Sequence, residues 1–238
     1  MPLNYEEVKE HYNNQTDDYN FYRWHDIPGT TYQQTYRAIE HHIAPLIYEK
    51  VLEVGCGAGA FSLLPLKYRE NVHIDALDIS AGMIKQAKQN LGQRENINYI
   101  VGQVKHIDTP HQHDLIYSVR CVEYYPDKWM FFQTTARLCR RGTHYVIVTK
   151  NPYSIGRIVC RMLGKRHYKI HDDYLSPGKA KWFAMNHYID VQLYPCTVRV
   201  PFLGKRLSNA LWRHWHKKPL TAFRSLFTES YIVVGQKQ

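Results

Sequence analysis

Glu53-Val54-Gly55-Cys56-Gly57-Ala58-Gly59-Ala60 is the stretch that decides how this chain folds. It continues the apolar run begun by Val51-Leu52 and leads into residues suited to a helix. Glycines at a strand-to-helix turn let the backbone take positive φ and let a ligand approach its amides closely. Taken alone, the spacing satisfies G-x-G-x-x-G/A with Ala60 last, a pattern that an NAD(P) or flavin dinucleotide also fits.

Working outward, the chain alternates short apolar runs with helical stretches. Residues 51–54 read as a first strand, followed by the glycine turn and a helix through Leu66, bent at Pro65. Residues 72–79 read as a second strand. Ser80 then supplies an N-cap, and Met83, Ile84, Ala87 and Leu91 form the buried stripe of the next helix. Residues 97–101 and 114–119 give a third and a fourth strand. Asp127 caps a helix carrying Trp129, Phe132, Ala136 and Cys139, which Gly142 stops, and residues 145–149 give a fifth strand. Two later runs, 188–193 and 231–234, add strands. This rhythm means right-handed βαβ units in a mostly parallel sheet, so the fold is α/β and doubly wound. Ahead of it, helices are expected around 5–12 and 31–42; in the second, Tyr32, Tyr36, Ile39 and Ile43 share a face.

At 238 residues and 28.2 kDa, with 44% hydrophobic and 22% charged residues, the chain can bury a core and is not a disordered tail. No apolar run approaches the ~18–20 residues that cross a bilayer. The acidic start lacks an apolar h-region, so a secretory signal is not expected. Cys56, Cys121, Cys139, Cys160 and Cys196 form no C-x-x-C pair, which disfavours a disulfide scaffold and a zinc knuckle and points to the cytoplasm. The net charge of +10 is uneven: residues 1–149 carry 15 Lys and Arg against 17 Asp and Glu, residues 150–238 carry 16 against 4. A basic final third suggests an anionic partner (phosphate, nucleic acid or a membrane face), against the plainer reading of a solvated surface.

Three neighbours of the turn favour another ligand over a dinucleotide. Glu53 puts a carboxylate two residues before Gly55, where a pyrophosphate would avoid negative charge and a ligand with an amino group and a sulfonium would welcome it. Asp78 closes the second strand, placed to accept ribose hydroxyls, and Met83 puts a thioether one turn into the next helix. From about Tyr48 to Pro152, and again over residues 230–235, the chain resembles the class I S-adenosylmethionine-dependent methyltransferases with the small-molecule type of motif set.

The resemblance implies a Rossmann-like, seven-stranded sheet whose last strand is antiparallel. It divides the chain into an N-terminal helical lid (1–46), a cofactor-binding core (47–153), a basic cap with a sixth strand (154–229) and a final core strand (230–238). It implies S-adenosyl-L-methionine as cofactor. By motif match, Glu53, Gly55, Cys56 and Gly57 serve the methionine end, Asp78 the ribose, and Ile79 and Met83 the adenine. Ser118 and Val119 border the methionine. Where many members carry Gly-Asp-Ala, this chain has Gly102-Gln103-Val104, so Gln103 would accept the adenine amino group through its amide oxygen. The fourth-strand loop often ends Glu-His and here reads Glu123-Tyr124, which leaves the catalytic base unassigned.

Methyl transfer from a sulfonium is an in-line displacement that asks mainly for alignment and exclusion of water. Tyr12, Tyr19, Tyr22, Trp24 and His25 are therefore expected to form a lid, or simply to pack it. Cys121 and the Pro195-Cys196 pair read as small buried hydrophobes rather than nucleophiles, and Asn151-Pro152-Tyr153 reads as a turn. The 14 histidines show no metal-ligand spacing. In the cap, Arg157, Arg161 and Lys165 make a basic stripe beside Ile155, Ile158, Val159, Met162 and Leu163. Residues 207–218 mix Trp with Lys and Arg. Segments 154–166 and 207–218 could lie on a membrane or cover a pocket for a phosphorylated acceptor. The expected function is O- or N-methylation of a small-molecule or lipid-like acceptor, anionic or membrane-delivered. The alternatives are a tRNA or rRNA methyltransferase using the basic third and an NAD(P)-dependent oxidoreductase.

Overall fold

A computed structural model of the chain describes residues 4–14, 31–92, 94–108, 112–164, 174–200 and 204–238. Tyr19, Tyr22, Trp24, His25 and Lys165, named above for the lid and the basic stripe, lie outside the described residues. Seven strands form one sheet: β1 (Lys50–Val54), β2 (His73–Asp78), β3 (Ile97–Val101), β4 (His113–Val119), β5 (Cys139–Lys150), β6 (Tyr188–Val198) and β7 (Thr228–Lys237). Their order is β3-β2-β1-β4-β5-β7-β6. β1 to β5 run parallel, and β7 runs antiparallel to both of its neighbours.

The helices are α1 (Tyr5–Asn14), α2 (Thr31–Ile43), α3 (Ala81–Leu91), α4 (Lys128–Leu138), α5 (Ile155–Met162), α6 (Pro177–Met185), α7 (Gly204–Trp215) and α8 (Ala222–Phe227). Their starts follow from capping. Ser80 accepts the Met83 N–H at 3.1 Å, and Asp127 accepts the Met130 N–H at 3.0 Å. The buried residues of α3 are Met83, Ile84, Ala87 and Leu91, the stripe its spacing predicts.

Alternation along the central strands feeds two cores, because helices cover both faces of the sheet. Leu52, Val54, Tyr145, Ile147, Tyr231 and Val233 pack with Phe131 and Phe132 of α4 and Ala180 and Ala184 of α6. Val51, Val146, Val148 and Ile232 face the other way, onto Ala38, Ile39 and Ile43 of α2 and Ile84 and Leu91 of α3. Truncating a fully buried ring such as Phe132 to alanine would cost about 3–5 kcal/mol. Polar ties position the later helices. Trp212 Nε1 of α7 donates to the Cys196 carbonyl of β6 at 2.8 Å, and Gln34 of α2 joins Asn209 of α7 to the Val198 N–H.

Two local expectations are corrected. The stretch after the glycine turn is not an α-helix. Its bonds run Gly59 N–H to Cys56, Ser62 to Gly59, Leu64 to Phe61 and Lys67 to Leu64, each spanning three residues. A left-handed glycine at its start and Pro65 at its end favour these tight turns over a regular ladder. Secondly, α4 stops at Leu138 and not at Gly142, and Cys139 already pairs with His113. The register then jumps to Leu115 opposite His144, so Arg140–Thr143 bulge out before the strand resumes.

Candidate active site

In the strand order β3-β2-β1-β4-β5, succession reverses between β1 and β4, and a ligand crevice opens beyond the strand carboxyl ends at such a point. Here it is a cleft of about 540 Å3. Its floor is the glycine turn, whose Gly55 and Cys56 N–H groups donate to the Leu77 carbonyl at 2.8 and 3.0 Å. Gly55 has φ +76°, and a Cβ there would lie 2.5 Å from Cys121 Cβ, so the turn and the β4 loop touch backbone to side chain. Gly57 has φ +54° and nothing within 4 Å of where its Cβ would be, which leaves open space on that side of the turn.

Asp78 at the end of β2 spans the turn and the next helix. Its Oδ2 accepts the Gly57 N–H and its Oδ1 the Ser80 N–H, both at 2.9 Å. Burial pushes its carboxyl up, against the lowering by the Ser80, Gly57 and Ile79 amides. Gly55, Cys56, Gly57, Asp78, Ile79, Met83, Gln103 and Val119 all face the cleft. Gln103 Oε1 is buried with no hydrogen-bond partner among the described residues.

Glu53, Val104 and Ser118 stand behind the wall rather than in it. The Glu53 carboxyl is 2% exposed and accepts the Ser62 hydroxyl at 2.5 Å. Burial pushes it up to about 8, partly offset by hydrogen bonds from Ser62 and Tyr117. Ser118 Oγ donates to the Val54 carbonyl at 2.7 Å, and Val104 is packed in the core. These three hold the turn and the strand ends in place.

Helix α1 roofs the cleft with Tyr5, Val8, His11 and Tyr12. It is pinned by Asn13, whose Oδ1 accepts from Ser80 Oγ at 2.7 Å and from the Gly82 N–H at 3.3 Å. Edge-to-face pairs tie it to the β4 loop, Tyr5 on Tyr125 at 5.7 Å and Tyr12 on Tyr124 at 5.3 Å. Tyr124 occupies the place of the family's histidine, but His11 brings an imidazole to the cleft from above. Sequence reasoning did not single out His11, Tyr5, Arg120 or Lys150. The last two sit at the ends of β4 and β5, and the carboxyl-end rule for parallel sheets was the signal available for them.

Arg120 follows β4 with φ +55°, a conformation costing a non-glycine residue about 1–3 kcal/mol and concentrated at functional sites. Lys150 ends β5; burial draws its ammonium down to about 8, with Glu123 opposing and Arg120 and Arg157 adding to the shift. Glu123 Oε1 accepts the Lys150 N–H at 3.2 Å, its Oε2 has no partner, and burial raises its carboxyl. Burial also pushes the Cys121 and Cys196 thiols up, which disfavours the thiolate form that a nucleophile needs. Asn151 donates to the Ser225 and Thr228 carbonyls and accepts the Tyr153 N–H, and so is a structural turn.

The sheet order, the crevice and the pairing of glycine turn with Asp78 define a Rossmann-like fold of the class I methyltransferase type. Residues 51–142 match the methyltransferase domain family, so this stretch is a methyltransferase domain, which speaks against the dinucleotide alternative. The chain is 42% identical over 82 residues to malonyl-[acyl-carrier protein] O-methyltransferase 1 of Ilyobacter polytropus, covering 34% of this chain and 31% of that protein. It is 29% identical over 139 residues to the ubiquinone biosynthesis O-methyltransferase of Erwinia tasmaniensis, covering 54% and 56%. The chain thus spans about a third of the length of the malonyl-[acyl-carrier protein] relative and just over half of the other. The N-methyltransferase NodS of Bradyrhizobium japonicum, solved with S-adenosyl-L-homocysteine, superposes with a TM-score of 0.67 at 13% identity over 96% of this chain and 97% of that one. A SAM-dependent methyltransferase of Thermotoga maritima gives 0.69 at 13% identity over 95% and 98%. At these identities the likeness shows the fold.

Proposed function

We propose that this chain holds S-adenosylmethionine across the crevice and methylates an oxygen of a small-molecule or lipid-like acceptor. The observation that carries the reading is Asp78. Its Oδ2 accepts the Gly57 N–H and its Oδ1 the Ser80 N–H, and a carboxylate, with about four lone-pair sites, keeps room for the further donors of a ribose diol. Around it, the residues present fit the cofactor: Gly57 leaves open space at the turn, Met83 and Ile79 give an apolar wall, and Gln103 Oε1 awaits a donor. When bound, S-adenosylmethionine supplies a methyl on a sulfonium, transferred in line with a thioether as leaving group. The chain's own share is alignment and dryness. The turn and Asp78 fix one end, and the α1 roof, held by Asn13, excludes water. For a hydroxyl acceptor, a His11 ring nitrogen is placed to take the proton.

Oxygen is preferred over nitrogen because the two sequence relatives named above are O-methyltransferases, whereas the N-methyltransferase NodS, at 13% identity, is alike in fold alone. A lipid-like acceptor is supported by the face next to Lys150. On α5 and its C-cap, Ile158, Val159, Met162 and Leu163 are exposed, Met162 by 81%, and Phe223 and Leu226 of the neighbouring α8 are exposed as well. Basic Arg161 and Arg224 flank them, the composition of a surface that docks on anionic lipid. The described part of segment 154–166 belongs to this face, and segment 207–218 is proposed to share it. No helix among the described residues is long and apolar enough to cross a membrane.

Calorimetric titration with S-adenosylmethionine and S-adenosylhomocysteine tests the reading. Binding weakened about tenfold or more by Asp78→Asn supports it, since a hydrogen bond to a charged group is worth about 1.5–3 kcal/mol. A folded wild type that binds neither ligand refutes it.

A further inference from the structure

We propose that the end of the cleft at β4 and β5 is a seat for an anionic group, made by Arg120, Lys150 and Arg157, and that the acceptor is an organic acid. This rests on the methyltransferase reading for the word acceptor, and on the geometry alone for the anion.

Arg120 and Lys150 leave adjacent parallel strands at the same end. The Arg120 N–H donates to the Val148 carbonyl at 2.8 Å, so the two residues sit side by side, and both line the cleft. Arg157, on the first turn of α5, joins them through one ring: its guanidinium lies 4.4 Å from the Tyr174 centroid, with Lys150 Nζ at 5.6 Å from the same centroid. Counting strands at about 4.8 Å each, this end lies about 10–14 Å from Asp78. Two parts of one cleft are therefore available for two ligands.

Among the described residues these cations have no counter-ion in salt-bridge contact. Arg120 Nε and Arg157 Nε are buried with no hydrogen-bond partner, and among the described residues no ion pair reaches either side chain or Lys150. The nearby carboxyl, Glu123, spends one oxygen on a backbone amide and leaves the other unpaired. Among the described residues, three cations thus face one acid. Burial pulls the Lys150 ammonium down to about 8, with Glu123 opposing and repulsion from Arg120 and Arg157 adding to the shift. The left-handed backbone at Arg120 holds its side chain at this junction in a conformation that an ordinary turn would avoid. Guanidinium and ammonium groups together suit a carboxylate or a phosphate, whose oxygens can take several charge-assisted donors at once. A sulfonium arriving at the Asp78 end would add positive charge, which favours an anion here and disfavours a cationic amine.

The test uses the full chain saturated with S-adenosylhomocysteine. Ligand-observed NMR measures the binding of three probes: hexanoate, inorganic phosphate and hexylammonium. Hexanoate or phosphate is expected to bind and hexylammonium is not; which acid binds more tightly tells a carboxylate acceptor from a phosphorylated one. Lys150→Gln and Arg157→Gln should each weaken the acid probe about tenfold while changing S-adenosylhomocysteine affinity by less than twofold. Arg120→Gln should do the same to the probe, and Arg120→Lys should recover part of the loss, which separates charge from any strain in folding. Binding of neither acid, acid binding that survives the three Gln variants, or equal binding of hexylammonium would each overturn the proposal. Failure to bind S-adenosylhomocysteine would instead sink the cofactor reading, and the same probes on the unliganded chain would still judge the anion seat.

Discussion

Replacing Gly55 and Gly57 separately with alanine should pull folding and ligand binding apart. At Gly55 an alanine meets two penalties. The left-handed φ of +76° costs an L residue about 1–2 kcal/mol. The new Cβ would also sit 2.5 Å from Cys121 Cβ and against its Sγ, so the β4 loop must shift, at an overpacking cost of about 1–3 kcal/mol. The sum, about 2–5 kcal/mol, is a large part of a typical domain's 5–15 kcal/mol. At Gly57 the φ of +54° incurs the backbone term alone, since no atom lies within 4 Å of the added carbon. Urea unfolding should therefore show Gly55→Ala with a midpoint about 1 M or more below wild type and Gly57→Ala much closer to it. Calorimetry should rank them the other way for S-adenosylhomocysteine. Gly57→Ala fills open space in the wall of the cleft, beside the amide that holds Asp78, and should lose about tenfold or more in affinity at little cost in stability. A second change, Cys121→Gly, should return the overlap share to Gly55→Ala but not the φ share. Equal stability losses, or unchanged affinity in Gly57→Ala, would show that the turn is not built as described.

Three further outcomes follow from the same coordinates. Burial, with the charges of His41 and His216, draws His42 down to about 4. The unfolded chain takes that proton near pH 6.5, so as pH falls from 6.5 to 4 wild type should lose about 3 kcal/mol relative to His42→Phe, read from unfolding midpoints across that range. Glu53 has the opposite sign. With its carboxyl raised to about 8 chiefly by burial, its contribution is full below pH 4.5 and lost as pH rises to 8, so Glu53→Gln should gain on wild type by on the order of 4 kcal/mol over that window. Removing the roof's pin with Asn13→Ala should weaken S-adenosylhomocysteine about fivefold with no more than about 1 kcal/mol of lost stability, the scale of hydrogen bonds in an exposed setting; unchanged affinity would mean that α1 does not act on the cofactor.

The central sheet was legible because its strands are apolar runs punctuated by glycine, Ser80 and Asp127, signals that act within a few residues. The turn after Gly55 misled: apolar residues at helical spacing were present, but φ at the glycines is set by the ligand-facing turn, and the chain settled for three-residue bonds. Half of the cleft is equally local, since Gly55, Gly57, Asp78 and Met83 lie within one βαβ unit. The other half is assembled by topology. Asn13 meets Ser80 across 67 residues, and Arg120 meets Lys150 because β4 and β5 are neighbours. A cation at a strand end leaves no periodic trace. Its place in a cleft can be inferred only once strand order is known.

The position of β7 bears on how the molecule comes to be folded. It lies between β5 and β6, yet it follows β6 in the chain, and β6 has no other partner in the sheet. As the chain is synthesised, β1 to β5 can already pair with one another, whereas β6, with the aromatic Tyr188 stacked on Tyr145, must wait for the strand that will seat it. During that wait β5 presents an open edge of Val146, Ile147 and Val148, an interval in which strand-to-strand association between copies competes with completion of the sheet. The outer end of the sheet, β6 included, can therefore be seated only once the residues of β7 have been made.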